Sequence, residues 1–388
     1  MMHSFLFKGP AYIKYGVGVV KELAALCEEL SMTHILFVTG NHIRKSEEFA
    51  GMKSCMDSAH IAYDIYSDIP TEPTVSLVDA AASFLKEHHC DGIVAIGGGS
   101  ILDTAKAIAL LGTNPGSARD YMFGGSGVVS HPALPLICIP TTAGSGSEVT
   151  ASSVILDEEK GVKLSITHNY LFPKYALIDP TLHLSMPHKI TISTGMDAMT
   201  HAIEAYTSTT SNAMSDMYAL TAISMISQTI GIVAKEPDNL EARGTMALAS
   251  TLAALAFVNG GLGIVHGISQ AMGGLAHVPH GIGNAILLPY CLTLNERYAV
   301  DKFAAIAHAM NLSAQSSDPS ALAAKVPEAI RKLSMEIGIP ASTREFALTP
   351  DMFPAIIKET MAYRLLKCNP APVTPEIVED ILNQSYYA

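Results

Sequence analysis

Charge is scarce in this sequence. Only 15% of its 388 residues are Asp, Glu, Lys or Arg, the formal net charge is −12, and no basic run occurs. Nucleic acid and anionic membrane both require clustered cations, so neither is expected as a partner. A C-x-x-C pair is also missing: Cys27, Cys55, Cys90, Cys138, Cys291 and Cys368 lie far apart. A chain of this length needs no disulfide staples, which reads the six as reduced thiols in a reducing compartment. The opening MMHSFLFKGP has neither the charged start nor the apolar core of a signal peptide, and a cytoplasmic location is expected. There is no internal repeat, no low-complexity segment, and no G-x-G-x-x-G after a strand-like run. One stretch without charge that could mislead a hydropathy scan, 245–265, contains Asn259, Gly260, Gly261 and Gly263. A buried helix that breaks at these glycines fits it better than a membrane span.

What is present is apolar residue, 49% of the chain. That is ample for burial, and the length exceeds one core of typical size, so two domains are expected. The first half alternates short apolar runs with helical spacing. HILFVT (34–39), DGIVAI (91–96) and LPLICI (134–139) read as buried strands, with helices over 77–89 and 101–111 between them. Val154 to Leu156 and Tyr175 to Asp179 read as further short strands. This alternation predicts a parallel sheet covered by helices. After Leu184 the pattern becomes helical throughout, over 190–208, 213–235, 239–258, 264–275, 299–310 and 320–337. The predicted organisation is an α/β nucleotide-binding domain over 1–185 and an all-helical metal and substrate domain over 186–388.

Two glycine-bearing loops follow predicted strands. In the first, Gly97, Gly98, Gly99 and Ser100 open a helix, whose free N–H groups and partial positive charge can accept a phosphate. Taken alone this is also an ordinary tight turn. The second loop, Thr141 to Glu148, is dense in hydroxyls and glycine. It fits a surface loop or a site for ribose and carboxamide groups. Ligands of open α/β sheets collect at the carboxyl ends of the strands, which makes the pair more telling than either loop.

In the helical half, Asp197 and His201 are four apart and share one helix face, as an ion pair or as two metal ligands. His266 and His280 each follow a glycine or proline break in a segment poor in charge. One carboxylate and three imidazoles would suit Fe(II), Zn(II) or another divalent metal with a coordination position left open. The remaining histidines, among them His88, His89 and His183, read as surface or packing residues.

Taken together these motifs resemble the iron-containing (group III) alcohol dehydrogenase family. GGGS at 97–100 with Asp103 resembles its phosphate loop, and TTAGSGSE at 141–148 its second loop. GMDAMTHAIEAY at 195–206 and the fourteen-residue spacing from His266 to His280 resemble its metal motifs. The resemblance implies a Rossmann-like α/β domain plus an all-α metal-binding domain, the plan shared with dehydroquinate synthase. It implies hydride transfer between NAD or NADP and a small primary alcohol or aldehyde, in a homodimer or larger assembly. It assigns Asp197, His201, His266 and His280 to the metal, and Gly97, Gly98, Gly99, Ser100 and Asp103 to the pyrophosphate loop. Thr141, Thr142, Ser147 and Lys163 go to the remainder of the cofactor, and Phe257 to the substrate pocket.

Two departures stand out. Many members carry a titratable histidine where this chain has Gln270, so proton transfer falls to water, the ribose hydroxyls or His277, which also fits a surface histidine. NAD-preferring members often have Asp after the strand that here ends at Gly40 and Asn41. No carboxylate then opposes the 2′-phosphate of NADP, and Arg44 or Lys45 can approach it. The alternatives are a glycerol or polyol dehydrogenase and a lyase of the dehydroquinate-synthase type. The lyase needs basic residues around its phosphorylated substrate, and 196–206 and 257–284 contain no Lys or Arg.

Overall fold

The computed structural model describes residues 4–10, 12–70, 72–312 and 318–388. The chain divides into two compact units. One holds Gly9–Thr142 and Gly146–Ser185; the other holds Met186–Ala388 together with residues 4–8 and Ala143–Ser145.

The described strands of the α/β unit are β1 (Tyr12–Tyr15), β2 (His34–Thr39), β3 (Ala62–Tyr66), β4 (Gly92–Gly97), β5 (Leu136–Pro140), β6 (Ser152–Asp157), β7 (Val162–Thr167) and β8 (Tyr175–Ile178). Its helices are α1 (Leu23–Glu29), α2 (Glu47–Ser58), α3 (Val75–Glu87), α4 (Gly99–Thr113) and the short α5 (Ala118–Tyr121). Six strands pair in parallel in the order β1-β8-β5-β4-β2-β3. The two-residue period of a strand decides which side chains face which helices. Leu36, Val38, Ile93 and Ala95 pack on one face with α3 and α4. Ile35, Phe37, Val94 and Ile96 pack on the other with α1 and α2. Burial on both faces explains why β2, β4 and β5 are continuous apolar runs.

The segment 154–156 departs from the sequence expectation of another strand in the series. It belongs to β6, which pairs antiparallel with β7 as a separate two-stranded ribbon. Strands β1 and β3 had no clear sequence signal because they are the sheet edges. The residues of β1 are exposed or half-exposed, and β3 mixes Asp64 and tyrosines with its apolar residues, so neither shows a buried run.

The second unit carries α6 (His188–Thr207), α7 (Ala213–Lys235), α8 (Leu240–Gly260), α9 (Ile264–Ala276), α10 (His280–Asn295), α11 (Val300–Ala309), α12 (Pro319–Ala323), α13 (Lys325–Glu336), α14 (Phe353–Ala362) and α15 (Pro375–Tyr386), and no strand among the described residues. Helices α8 and α9 are bent by 104° at the glycine break, where Gly261 has φ +91°. Ala249, Ala253 and Ala256 before the break, and Ile264, Val265 and Ile268 after it, lie in the helical core. By length and composition α7 could also cross a bilayer, yet Ala219, Ile223, Ile226 and Ile230 commit one of its faces to the same core. The fully buried Arg243 on α8 fixes the start of α6: its guanidinium donates to Thr191 Oγ1 at 2.8 Å and to the Met186 carbonyl at 3.3 Å. Helix α10 escaped the periodicity reading because it opens on His280-Gly281 and carries Pro289 inside it, both breakers by propensity. Tertiary packing overrides them.

Candidate functional site

The helical unit brings four potential ligands together. Asp197 and His201 lie one turn apart on α6, His266 sits in the first turn of α9 and His280 opens α10. The Nε2 atoms of His201, His266 and His280 lie 3.9, 3.7 and 3.7 Å from Asp197 Oδ1. One ligand atom each from Asp197, His201 and His266 falls within 4.8 Å of the others, and all three residues are buried. The close approach of α10 to α6 depends on Gly281, where an added Cβ would stand 2.4 Å from the Ser193 carbonyl oxygen.

Asn284 makes the convergence explicit. It is fully buried, and its Nδ2 lies 2.7 Å from Asp197 Oδ1 and 3.2 Å from Nε2 of both His266 and His280. An amide nitrogen has two hydrogens and cannot satisfy three acceptors. Its own Oδ1 accepts no hydrogen bond among the described residues. Lone pairs directed at one point, in excess of the protons available, are the arrangement a cation satisfies. One carboxylate with three imidazoles is a donor set for Fe(II) or Zn(II), and the residues present fit such an ion.

The electrostatics agree. Burial by itself would raise the Asp197 carboxyl, but the surrounding imidazoles outweigh it and hold the group well below the usual carboxylate range. Burial lowers the His201 imidazole to about 3 against the pull of Asp197, so its ring is neutral. His266 differs: burial opposes its charge, but Glu204 and Asp197 prevail and push it up to about 9. Glu204 is itself buried. Its Oε2 lies 2.5 Å from His266 Nδ1, and its Oε1 accepts from the Val265 N–H at 2.7 Å. A carboxylate at Nδ1 fixes the tautomer and aims the Nε2 lone pair into the site.

Sequence reasoning passed over Glu204 and Asn284. The signal existed for both: Glu204 continues the stripe 197, 201, 204 along α6, and Asn284 lies one turn after His280.

In the metal-free protein the extra proton on His266 must leave before a cation binds. Metal affinity is therefore expected to rise about tenfold per pH unit toward pH 9 and to level above it. Glu204→Gln removes the charge that raises His266. It should move that plateau to lower pH and weaken binding at the plateau by about 10- to 100-fold. Calorimetric titration with Zn(II) at several pH values checks both.

Other predicted residues take defined places around these. The ring of Phe257 stacks on His201, centroids 4.5 Å apart. Gln270 is half-buried on α9, and His277 is exposed at its C-terminal cap with φ +51°.

The α/β unit presents the loops. Strand β4 ends at Gly97 and α4 begins at Gly99, so the turn is a single residue, Gly98. No side chain caps α4 among the described residues, and an uncapped helix start of this kind can accept an anion. A Cβ on Gly98 would stand 3.3 Å from Thr142 Cγ2, so the two loops touch here, and the Thr141 N–H donates to the Gly97 carbonyl at 3.0 Å. Ser147 and Asp103 meet each other: the hydroxyl donates to Asp103 Oδ1 at 2.5 Å, while Oδ2 accepts from the Val154 N–H at 2.9 Å. Fully buried Lys106 adds hydrogen bonds to Ser147 Oγ, Thr150 Oγ1 and the Ser152 carbonyl at 2.7, 2.8 and 2.9 Å. Lys106 is a third residue missed from sequence, since a lysine on an apolar helix reads as solvated. Lys163 on β7 pairs with Glu72 at 2.5 Å. Gly40 and exposed Asn41 follow β2, and nearby Arg44 donates to Ser67 Oγ at 2.8 Å.

Comparison with known proteins gives a consistent result. Residues 10–180 match the family model for iron-containing alcohol dehydrogenase, and residues 191–386 match the C-terminal model of the same family. Alcohol dehydrogenase 4 of Saccharomyces cerevisiae is 34% identical over 372 residues, covering 96% of this chain and 96% of the relative. The NAD-dependent methanol dehydrogenase of Bacillus methanolicus is 31% identical over 370 residues, covering 95% and 97%. A crystal structure of 1,3-propanediol oxidoreductase superposes with a TM-score of 0.95 at 32% identity, covering 99% of this chain and 100% of that one.

Proposed function

This chain belongs to the iron-containing alcohol dehydrogenase family, and from that premise we propose that it passes hydride between a nicotinamide cofactor and a small primary alcohol or aldehyde. The observation that carries the reading is the convergence of Asp197, His201, His266 and His280 on one point beside Asn284. A divalent cation held there supplies Lewis acidity toward the substrate oxygen, and the nicotinamide supplies the hydride chemistry.

The chain's own residues do the rest. Asp197 contributes the only carboxylate of the four ligands. Glu204 keeps the proton of His266 on Nδ1 and so leaves Nε2 to the ion. Phe257 covers the His201 ring and, with the uncharged segments flanking it, keeps water from the reacting carbon. Gly97, Gly98, Gly99 and Ser100 receive the pyrophosphate at the α4 N-terminus. Thr141 and Thr142 line the adjoining loop, and Lys163 reaches the nicotinamide ribose from β7. Asp103 and Ser147 serve the cofactor by holding that loop in shape. Because Gln270 cannot titrate, His277 carries the alcohol proton to water. His277→Gln should then lower kcat for alcohol oxidation with little change in KM; an unchanged kcat removes His277 from the relay.

Both NAD and NADP are accepted in this reading, since Asn41 sets no carboxylate against a 2′-phosphate. Asn41→Asp is expected to raise KM for NADP by at least about tenfold with little change for NAD, an effect of ~1.4 kcal/mol for one like-charge contact. A wild-type enzyme that already rejects NADP contradicts it. The reduced thiols fit a cytoplasmic enzyme, and we place it there as a homodimer or larger assembly. The likeness to 1,3-propanediol oxidoreductase favours a short diol as a second reading of the substrate.

The deciding experiment is an NAD(P)H oxidation screen over short aldehydes, ketones and hydroxyaldehydes. It uses protein stripped of metal and reloaded with Fe(II), Zn(II), Mn(II) or Co(II). Metal-dependent turnover of an aldehyde supports the proposal, and none with any metal overturns it.

A further inference from the structure

A second group of metal-type donors lies in the α/β unit and has no part in the chemistry above. His34 is the first residue of β2 and Asp64 lies in β3; His88 caps α3 at its C-terminus, and Cys90 follows two residues later. In the β2–β3 register His34 stands opposite Ala62 and Leu36 opposite Asp64. The two-residue period therefore puts His34 and Asp64 on one face of the sheet, diagonal to each other. That is the Leu36 face, which α3 covers. Helix α3 runs back against the strands, so its last residues return to the strand starts.

The donor atoms meet there. His34 Nε2 lies 2.9 Å and His88 Nδ1 3.0 Å from the same oxygen, Asp64 Oδ2. The Cys90 sulfur, an Asp64 oxygen and a His34 nitrogen all lie within 4.8 Å of one another. Ligand atoms around a tetrahedral zinc are separated by roughly 3.3–3.7 Å, given bonds of about 2.0–2.3 Å, so these three stand within about 1.5 Å of such spacings. The surroundings hold these groups ready. The Asp91 carboxylate accepts from the backbone N–H of Thr33 and of His34, the His88 ring stacks on Phe84 at 4.0 Å, and His89 takes φ +56° to turn the chain. Cys90 is buried, while both histidines and Asp64 are partly open to solvent, which gives an ion a way in. Hydrogen bonds to a shared carboxylate would account for the two histidines. Cys90, which packs in the apolar core beneath α3, brings a sulfur within 4.8 Å of the same carboxylate.

We propose that His34, Asp64, His88 and Cys90 form a second divalent-cation site, suited to Zn(II), at the start of β2, the middle of β3 and the turn that leads from α3 into β4. The glycine loops stand at the carboxyl ends of the strands, so this ion ties α3 to β2, β3 and β4 and takes no part in hydride transfer. Two imidazoles, one carboxylate and one thiolate make a borderline-soft set that favours zinc over magnesium or calcium. Binding releases the Cys90 thiol proton, and the sulfur becomes a thiolate ligand.

The test is titration of the metal-stripped full chain with Co(II), read by absorbance. The ligands Asp197, His201, His266 and His280 include no sulfur, so a thiolate-to-cobalt charge-transfer band in the near ultraviolet reports the second site alone. Two equivalents should bind to the wild type, one of them with the band. Asp197→Ala should keep the band. Cys90→Ser should abolish it, and Asp64→Asn should weaken that site by on the order of a hundredfold or more, since even outer partners of a metal site are worth about 10- to 100-fold. Neither variant should alter aldehyde reduction. Zn(II) should also raise Tm in Asp197→Ala and fail to do so in Asp197→Ala combined with Cys90→Ser. A single equivalent without the band in the wild type, or a band that survives Cys90→Ser, overturns the proposal.

Discussion

Asp197→Ala is expected to lower kcat/KM by at least about three orders of magnitude, with loss of the catalytic-site metal. The three imidazoles are neutral as ligands, so Asp197 supplies the charge that makes the group a cation site. All three Nε2 atoms lie within 3.7–3.9 Å of its Oδ1. Lewis-acid assistance is worth several kcal/mol, and about 4 kcal/mol corresponds to a thousandfold in rate. The variant should still fold, because the site is a small part of a core built from Met196, Ala198, Met199 and Ala202 on the same helix. Circular dichroism, metal content by elemental analysis and steady-state kinetics separate the outcomes. A folded variant that loses its metal and its turnover together fits the assignment, whereas one that keeps both refutes it. Asp197→Asn isolates charge from shape: if charge dominates, it should fall nearly as far as alanine.

The second large effect concerns stability. Lys106→Met is expected to destabilise the α/β unit by about 3–5 kcal/mol, the usual cost of removing one partner from a buried charged network. Its ammonium is fully buried and serves Ser147, Thr150 and the Ser152 carbonyl, with Asp103 at 3.4 Å. Methionine fills the volume and satisfies none of these. Asp103 would be left with the Ser147 hydroxyl and the Val154 N–H and no cation. At about 2–4 °C per kcal/mol for a domain of this size, Tm for that unit should fall by roughly 6–20 °C. The segment from Ser147 to Thr150 also loses its anchor, so the KM for NAD(P)H should rise while the metal titration of the helical unit stays as in the wild type. Scanning calorimetry with kinetics checks both parts. An unchanged Tm would mean that the network carries no net stability.

The two variants probe features with very different visibility in the sequence. Asp197 and His201 announce themselves by four-residue spacing on a helix, and His266 and His280 by their place in a segment almost free of charge. The strands β2, β4 and β5 were legible because burial on both faces demands unbroken apolar runs, and each end is marked by glycine or proline. Lys106 was not legible. Nothing local distinguishes a lysine that hydrogen-bonds a loop about forty residues away from one that reaches into water. The ribbon β6–β7 was misread for a related reason: a short apolar run states that it is extended, not which strand it pairs with.

The amino-acid order alone laid out the chemistry on offer: a carboxylate and three imidazoles, with no cysteine among them, in the helical half, and glycine turns ahead of a helix in the α/β half. Those properties are local, written into residue type and helical or strand period. Which groups act on one another was decided only by the packed chain. Glu204 reaches His266 across 62 positions, Asn284 faces three ligands from three helices, and β2, β3 and the turn after α3 bring His34, Asp64 and Cys90 near one another. Such meetings depend on how whole elements are laid against each other, and that follows from the sum of all their buried surfaces rather than from any one segment.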